Sequence, residues 1–364
     1  MSLSYAVHER SDRRPAQERD AILANPGFGK QFTDHMVRST WTGDRGWHDA
    51  QVCAYGPFQL DPAAAVLHYA QEIFEGMKAY RHADGSVWTF RPEANAARFN
   101  RSAQRLALPP LEEADFLESL KQLVQLDVDW VPDSTSGESS LYLRPFMFAS
   151  ESFLGVRPAQ EVTYSVIASP AGSYFTGGLK PISLWISEHF SRAGKGGTGD
   201  AKCGGNYAAS LAAQIEASEN GCDQSVFLDS VEQKYVEELG GMNVFLVYQD
   251  GRIVTPALTG SILEGITRSS IIELAKDLDL RPEEKRISLE EWRADAESGQ
   301  ITEAFACGTA AVVTPIGRLL STKGEFRTGP EGDGGPVATR IRESLLDIQT
   351  GRAEDTRGWL TRLA

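Results

Sequence analysis

Cysteine is scarce in this chain of 364 residues: there are four, Cys53, Cys203, Cys222 and Cys307, and no two stand at C-x-x-C spacing. That excludes a disulfide framework or a zinc ribbon as the basis of the fold, and reduced thiols in a cytoplasmic protein are expected. The six histidines (8, 35, 48, 68, 82 and 189) form no H-E-x-x-H or similar cluster, so no metal centre is expected. No apolar run approaches the ~20 residues of a membrane span. The N-terminus, "MSLSYAVHERSDRRPAQERD", lacks an apolar h-region and carries Glu9, Asp12, Glu18 and Asp20, against a signal or transit peptide. Residues 1–25 read as a polar arm. Basic runs are also missing. A net charge of −14 and a pI near 5.0 speak against a nucleic-acid partner.

What is present is ordinary globular chain, 41% hydrophobic, with length for about two domains. "DPAAAVLHYAQEIFEG" (61–76) reads as a helix with Asp61 as N-cap, Pro62 in the first turn and Gly76 at its end. "MKAYRHADGSVWTFRP" reads as a hairpin turning at Asp84-Gly85, followed by helices from Pro92 and over "LEEADFLESLKQLVQLD". Strands follow at "SSLYLRPFMF" and "EVTYSVIAS". The Pro- and Gly-bearing stretch 171–181 reads as a linker between domains at 26–170 and 182–364. In the second domain a strand, "ISLWISE", precedes a Gly-rich loop (194–205) and a helix over Tyr207–Glu219. Strands are expected at "SVFLD" and "KYVEE", a hairpin at "NVFLVYQDGRIVTP", a helix from Thr267, and strand–bend–strand at "ITEAFACGTAAVVTPI".

Lys202 stands inside "GTGDAKCGGNYAAS", with glycines on both sides. A lysine amine presented from backbone that packs this closely suits Schiff-base chemistry with a carbonyl compound, pyridoxal phosphate (PLP) among them. PLP adds three demands, and each has a candidate. For its phosphate, Gly265, Ile266 and Thr267 open a predicted helix, where unpaired amides attract anions. Thr267 equally reads as a plain N-cap. "ACGTAA" offers a second turn at Thr309 or a strand bulge, and Arg98 is a candidate cation that alone would be taken as a helix-surface arginine. For the pyridine nitrogen, "VEELGGMN" offers Glu237 and Glu238, whose side chains point to opposite faces of a strand. One would face inward and the other solvent. For the ring oxygen there is Tyr207. No nucleotide-binding fingerprint is present: "GKGGTGDAK" is not G-x-x-x-x-G-K-[ST].

Taken in order, "FGKQFTDHM", "LHYAQEIFEGMKAYR", "FRPEANAARFNRSAQRL", "LYLRPFMF", "GGTGDAKCGGNYAAS", "EELGGMN", "GITRSSI" and "FACGTAAVVTPI" resemble the branched-chain amino-acid aminotransferases, PLP enzymes of fold type IV, from about Pro26 to nearly the C-terminus. The resemblance implies an α/β architecture of α+β type. It has a smaller N-terminal α+β domain and a larger C-terminal domain built on a mixed, barrel-like sheet, with the cofactor between them. It implies PLP held as a Schiff base on Lys202, Tyr207 at the ring oxygen, Glu238 rather than Glu237 at the pyridine nitrogen, and Arg98, Gly265, Ile266, Thr267 and Thr309 around the phosphate. It places the substrate carboxylate at Gly241, Thr309 and Ala310, and the side-chain pocket at Phe28, Phe74, Tyr142, Arg144 and Tyr174. Tyr69, Leu154 and Val156 match positions that the neighbouring subunit supplies, which implies a homodimer.

The implied reaction is reversible, ping-pong transamination between L-leucine, L-isoleucine or L-valine and 2-oxoglutarate, giving branched-chain 2-oxo acids and L-glutamate. An apolar pocket separates substrates by only ~1–3 kcal/mol per methylene, so all three amino acids should be accepted. Two departures stand out. Many relatives have threonine where this chain has Gly241, and the positions of a mammalian C-x-x-C pair are Ala311 and Thr314, so no thiol switch of that kind is expected. D-amino-acid aminotransferases and aminodeoxychorismate lyases share the lysine–glutamate pattern. A PLP-binding protein without turnover is the reading from another class.

Overall fold

The alternating and helical patterns build two nine-stranded sheets in a computed structural model that describes residues 2–134, 137–172, 180–329 and 334–364. Each sheet has its own unit. The first comprises Met1–Tyr174, Ala201–Gly204 and Asp347–Ala364, and the second Phe175–Asp200 and Gly205–Leu346. A single cut at 171–181 therefore does not describe the division, because Lys202 and the C-terminus return to the first unit.

The first unit runs β1 (Ala6–Val7), α1 (Ala16–Ala24), β2 (His35–Thr42), β3 (Gly46–Ala54), α2 (Ala65–Tyr69), β4 (Glu72–Phe74), β5 (Met77–Arg81), β6 (Val87–Phe90), α3 (Pro92–Arg105), α4 (Glu113–Leu126), β7 (Ser140–Ala149) and β8 (Glu161–Ala171). The sheet order is β1-β3-β2-β8-β7-β5-β6, with the C-terminal strand Leu360–Arg362 beside β6 and β4 paired to β7. Helix α3 buries Ala96, Phe99 and Ala103, and α4 buries Phe116, Leu120, Leu123 and Val124, each a one-sided stripe at helical spacing. Phe99 packs 5.4 Å from Phe116 and 5.8 Å from Tyr164 of β8, centroid to centroid. Each such side chain contributes about 1.5–3 kcal/mol when fully buried.

Two expectations fail here. The helix over 61–76 is only α2, because Ala70 turns left-handed (φ 47°) and Glu72–Phe74 pairs with Phe146–Phe148 of β7. Tertiary pairing overrides a good local helix pattern. The polar N-terminal arm, which its composition leaves free to be mobile, is tied down instead. Val7 pairs with Val52, Tyr5 donates to the Asp115 carbonyl at 3.0 Å, and the Arg10 N–H donates to His35 Nε2 at 2.9 Å. His35 is fully buried, with its Nδ1 2.6 Å from Asp127.

The second unit continues with β9 (Ile182–Ile186), α5 (Gly204–Glu219, whose first residue belongs to the first unit), β10 (Gln224–Leu228), β11 (Val236–Leu239), β12 (Asn243–Tyr248), β13 (Arg252–Pro256), α6 (Ile266–Asp277), β14 (Arg281–Lys285), α7 (Leu289–Glu297), β15 (Ile301–Gly308), β16 (Val312–Ser321) and β17 (Gly324–Arg327). Helix α8 (Pro336–Gln349) leads the chain back to the first unit. The sheet order is β11-β10-β9-β16-β15-β12-β13-β14, with β17 on β16. It is mixed: β9 runs parallel to both β10 and β16, while β12, β15 and β16 pair antiparallel. Phe245 and Phe305 face each other in register and stack at 5.2 Å.

Candidate active site

In the first unit the chain returns at Ala201–Gly204, a short segment that ends on the first residue of α5. The Lys202 N–H donates to Ser102 Oγ of α3 at 2.9 Å, and the Phe74 N–H donates to the Lys202 carbonyl at 3.0 Å. The Gly204 N–H donates to Glu72. These bonds fix the backbone on both sides of the lysine. Its Nζ lies 4.9 Å from the centroid of the Phe74 ring. Arg144 stacks on the same ring at 4.7 Å and donates to the Tyr142 hydroxyl at 2.9 Å, and Phe28 meets Tyr142 edge-on at 5.1 Å. Five residues expected at the site, Phe28, Phe74, Tyr142, Arg144 and Lys202, thus form one aromatic and cationic cluster.

Arg98 is not on the helix surface. It is buried, and Glu75 grips its Nε and Nη2 at 2.7 and 2.8 Å. Glu75 is fully buried and also accepts from Asn95 at 2.7 Å. Burial alone would push the Glu75 carboxyl up, but Arg98, helped by Lys202 and Asn95, holds it below its ordinary value. Glu75 was not legible as a site residue. Its only signal is a carboxylate inside the apolar "IFEGM". Tyr69 donates to the Leu154 carbonyl, and Tyr69, Leu154 and Val156 are all exposed. Tyr174 lies outside the described residues.

In the second unit Glu238 sits on β11, buried, and accepts from the Leu263 N–H at 2.7 Å. Arg192, itself buried, pairs with it at 2.9 Å. Arg192 Nη1 also donates to the carbonyls of Gly199 and Ser261, both at 3.1 Å. Gly199 is required there, because a Cβ would run into the Ser261 backbone. Here one loop glycine permits close packing. Sequence reasoning missed Arg192, whose partner is 46 positions away.

Asn243 joins Glu238 to the start of α6. Its Nδ2 donates to the Leu263 carbonyl at 3.1 Å and reaches Glu238 at 3.5 Å, and its side-chain oxygen fills the place where Gly265 would carry a Cβ. No side chain caps α6 at Gly265. The Tyr207 ring stands 3.5 Å from an ideal Cβ on Gly241. The β12–β15 register pairs Asn243 with Cys307 and brings the Gly241 turn against Gly308, 3.6 Å from an ideal Cβ there to the Gly241 carbonyl oxygen. Gly308 pairs with Val312, so Thr309, Ala310 and Ala311 form a three-residue hairpin loop. Val312 takes φ 60°, a strained value for a β-branched residue.

The adjacent carboxylate departs from expectation. Glu237 is buried and accepts a hydrogen bond from Ser261 rather than facing solvent.

The first unit thus carries an amine on fixed backbone and a buried arginine. The second carries a buried carboxylate with a cationic partner and a helix start at Gly265 without a side-chain cap. The profile of the family described as "Amino-transferase class IV" matches residues 72–319. The chain belongs to the class IV aminotransferases. Across this family it is 56% identical to the branched-chain-amino-acid aminotransferase of Mycolicibacterium smegmatis, over 99% of this chain and 98% of that one. It is 54% identical to the enzyme of the same name from Mycobacterium tuberculosis, over 100% and 99%. Among solved class IV structures, the Escherichia coli branched-chain amino acid aminotransferase superposes with a TM-score of 0.74, at 28% identity, over 90% of this chain and 100% of that one. The T.th. branched-chain amino acid aminotransferase, solved with pyridoxamine 5′-phosphate, gives 0.72 at 31% identity, over 90% and 98%.

Proposed function

We propose that this class IV aminotransferase exchanges amino groups between branched-chain L-amino acids and 2-oxoglutarate with PLP as cofactor. Identity of 54–56% over essentially the whole chain to enzymes of that name carries the reading. When bound, PLP supplies an electrophilic aldehyde and an electron-accepting ring.

The chain's own residues supply the rest. Lys202 would hold the cofactor and would carry the substrate's Cα proton on its Nζ. Phe74 and the Ser102-anchored backbone keep that amine in place. Glu238, kept buried by Arg192 and the Leu263 N–H, holds the proton on the ring nitrogen. Tyr207 donates to the ring oxygen. For the phosphate, the first unit offers Arg98, oriented by Glu75, and the second offers the α6 amides at Ile266 and Thr267 and the Thr309 turn. Gly241, Thr309 and Ala310 receive the substrate carboxylate. Phe28, Phe74, Tyr142 and Arg144, clustered in the first unit, form the wall for its side chain and exclude water.

The protein acts as a cytoplasmic homodimer. Tyr69, Leu154 and Val156 are presented to a second copy, and Leu211 and Ile215 of α5 are large apolar residues left exposed one turn apart. Among the described residues no helix is long and apolar enough to cross a membrane.

The test is the absorbance spectrum of the purified protein. A visible band should bleach on adding L-leucine and return on adding 2-oxoglutarate. A band that ignores L-leucine but responds to D-alanine would move the chain to the D-amino-acid branch. Lys202→Ala should lose band and turnover together.

A further inference from the structure

The second unit contains a cavity of about 370 Å³ that takes in Glu237, Val236, Ser261, Ile262, Lys195 and Arg286. None of the residues assigned above to cofactor or substrate lines it. It borders β11 at Val236 and Glu237, where the register with β10 shifts between Val236 and Leu239. Glu237 is only 5% exposed. Its Oε1 accepts from Ser261, while its Oε2 has no hydrogen-bond partner among the described residues. Burial, with the charge of Asp229, pushes this carboxyl up. A buried carboxyl oxygen without a partner is costly unless something occupies the space in front of it.

The other charges around the cavity are unequally engaged. Asp229 is committed to backbone, accepting from the N–H groups of Glu232, Lys234 and Tyr235 at 2.7, 3.0 and 2.8 Å. Arg286 pairs with Glu232 at 3.0 Å and lies 3.5 Å over the Tyr235 ring. Lys195 forms no ion pair among the described residues. Val231, Val236 and Ile262 give the wall an aliphatic side.

We infer that this cavity binds a free aliphatic α-amino acid, its ammonium on Glu237 Oε2, its carboxylate at Lys195 and its side chain along Val231, Val236 and Ile262. A simple amine would leave Lys195 unmatched, and a simple carboxylate would leave Glu237 unmatched. A zwitterion with an alkyl chain uses both ends and the wall, and the volume lies within the roughly 300–1,000 Å³ of small-molecule sites. The site touches the reaction machinery through a short chain of polar contacts. Ser261 donates to Glu237, its carbonyl accepts from Arg192, and Arg192 pairs with Glu238, the next residue on the strand. Occupancy is therefore read at Glu238. This coupling rests on the function proposed above, whereas the binding does not.

The experiment is a calorimetric titration of L-leucine into holoenzyme reduced with borohydride, in which the reaction site cannot turn over. Saturable binding is expected, at least about tenfold weaker in Glu237→Gln and at least about threefold weaker in Lys195→Gln, with isopentylamine and 4-methylpentanoate each at least about tenfold weaker than leucine. Glutamine keeps the shape and the Ser261 contact, and Lys195 is exposed, so both variants should fold. Absence of saturable binding, or affinity unchanged by Glu237→Gln, overturns the inference. Failure of the proposed activity would appear separately, in the unreduced protein, as a visible band that L-leucine does not bleach, or as no band at all.

Discussion

Glu75→Gln should be the most damaging near-isosteric change in the first unit. Glu75 is fully buried and its two oxygens meet Arg98 at 2.7 and 2.8 Å and Asn95 at 2.7 Å. Glutamine replaces one acceptor with a donor that faces donors, and it leaves the Arg98 cation buried without its counter-charge. Breaking a buried pair from one side costs about 3–5 kcal/mol. Total stability is only about 5–15 kcal/mol. For a unit of this size, ~2–4 °C of melting temperature follows each kcal/mol, so the first unit's transition should fall by about 6–20 °C. Thermal unfolding at pH 7 measures the shift, and urea unfolding the free energy. The pH dependence has a definite sign. The folded carboxyl lies below its ordinary value, so its stabilisation is complete above the unfolded value of ~4.3 and is lost as pH falls through the folded one. The gap between wild type and Glu75→Gln should therefore narrow in acid. Replacing both partners, Glu75→Leu with Arg98→Met, should recover much of the loss. A single Gln variant that loses less than about 1 kcal/mol would refute the reasoning, because the pair would then be no stronger than a surface bridge.

Gly265→Ala drives a Cβ into the Asn243 carboxamide, which links Glu238 to the start of α6. Overpacking of about 1–3 kcal/mol should weaken PLP binding roughly tenfold or more, checked by cofactor titration. Arg192→Met leaves Glu238 buried without its cation, so a loss of about 3–5 kcal/mol is expected in chemical unfolding, with unchanged stability counting against the pairing. Three thiols, Cys203, Cys222 and Cys307, are buried, and burial pushes the Cys307 thiol up well beyond its ordinary value. A thiol reagent should label Cys53 first in native protein and all four only after denaturation. Rapid labelling of Cys307 would contradict its placement.

What was legible in the sequence was local. The stripes of α3 and α4, the loop before α5, the start of α6 and the hairpin around Thr309 follow from spacing and turn chemistry within a few residues. What was not legible depended on partners far along the chain. The good helix pattern at 61–76 lost to β7, some 75 positions on. Glu75 gains meaning only from Arg98, and Arg192 only from Glu238. For Glu237 the assumption that the second face of a strand meets water failed, because all four residues of β11 are buried.

The last residues of the chain belong to the first unit. Leu363 is in its core and Leu360–Arg362 closes the free edge of β6. On the ribosome, at ~5–20 residues per second, the first unit therefore waits about 10–40 s for its final strand while the second is made. Through that interval β6 is an unpaired, largely apolar edge, the kind of surface on which nascent chains associate wrongly. Deleting Leu360–Arg362 would leave this edge open permanently.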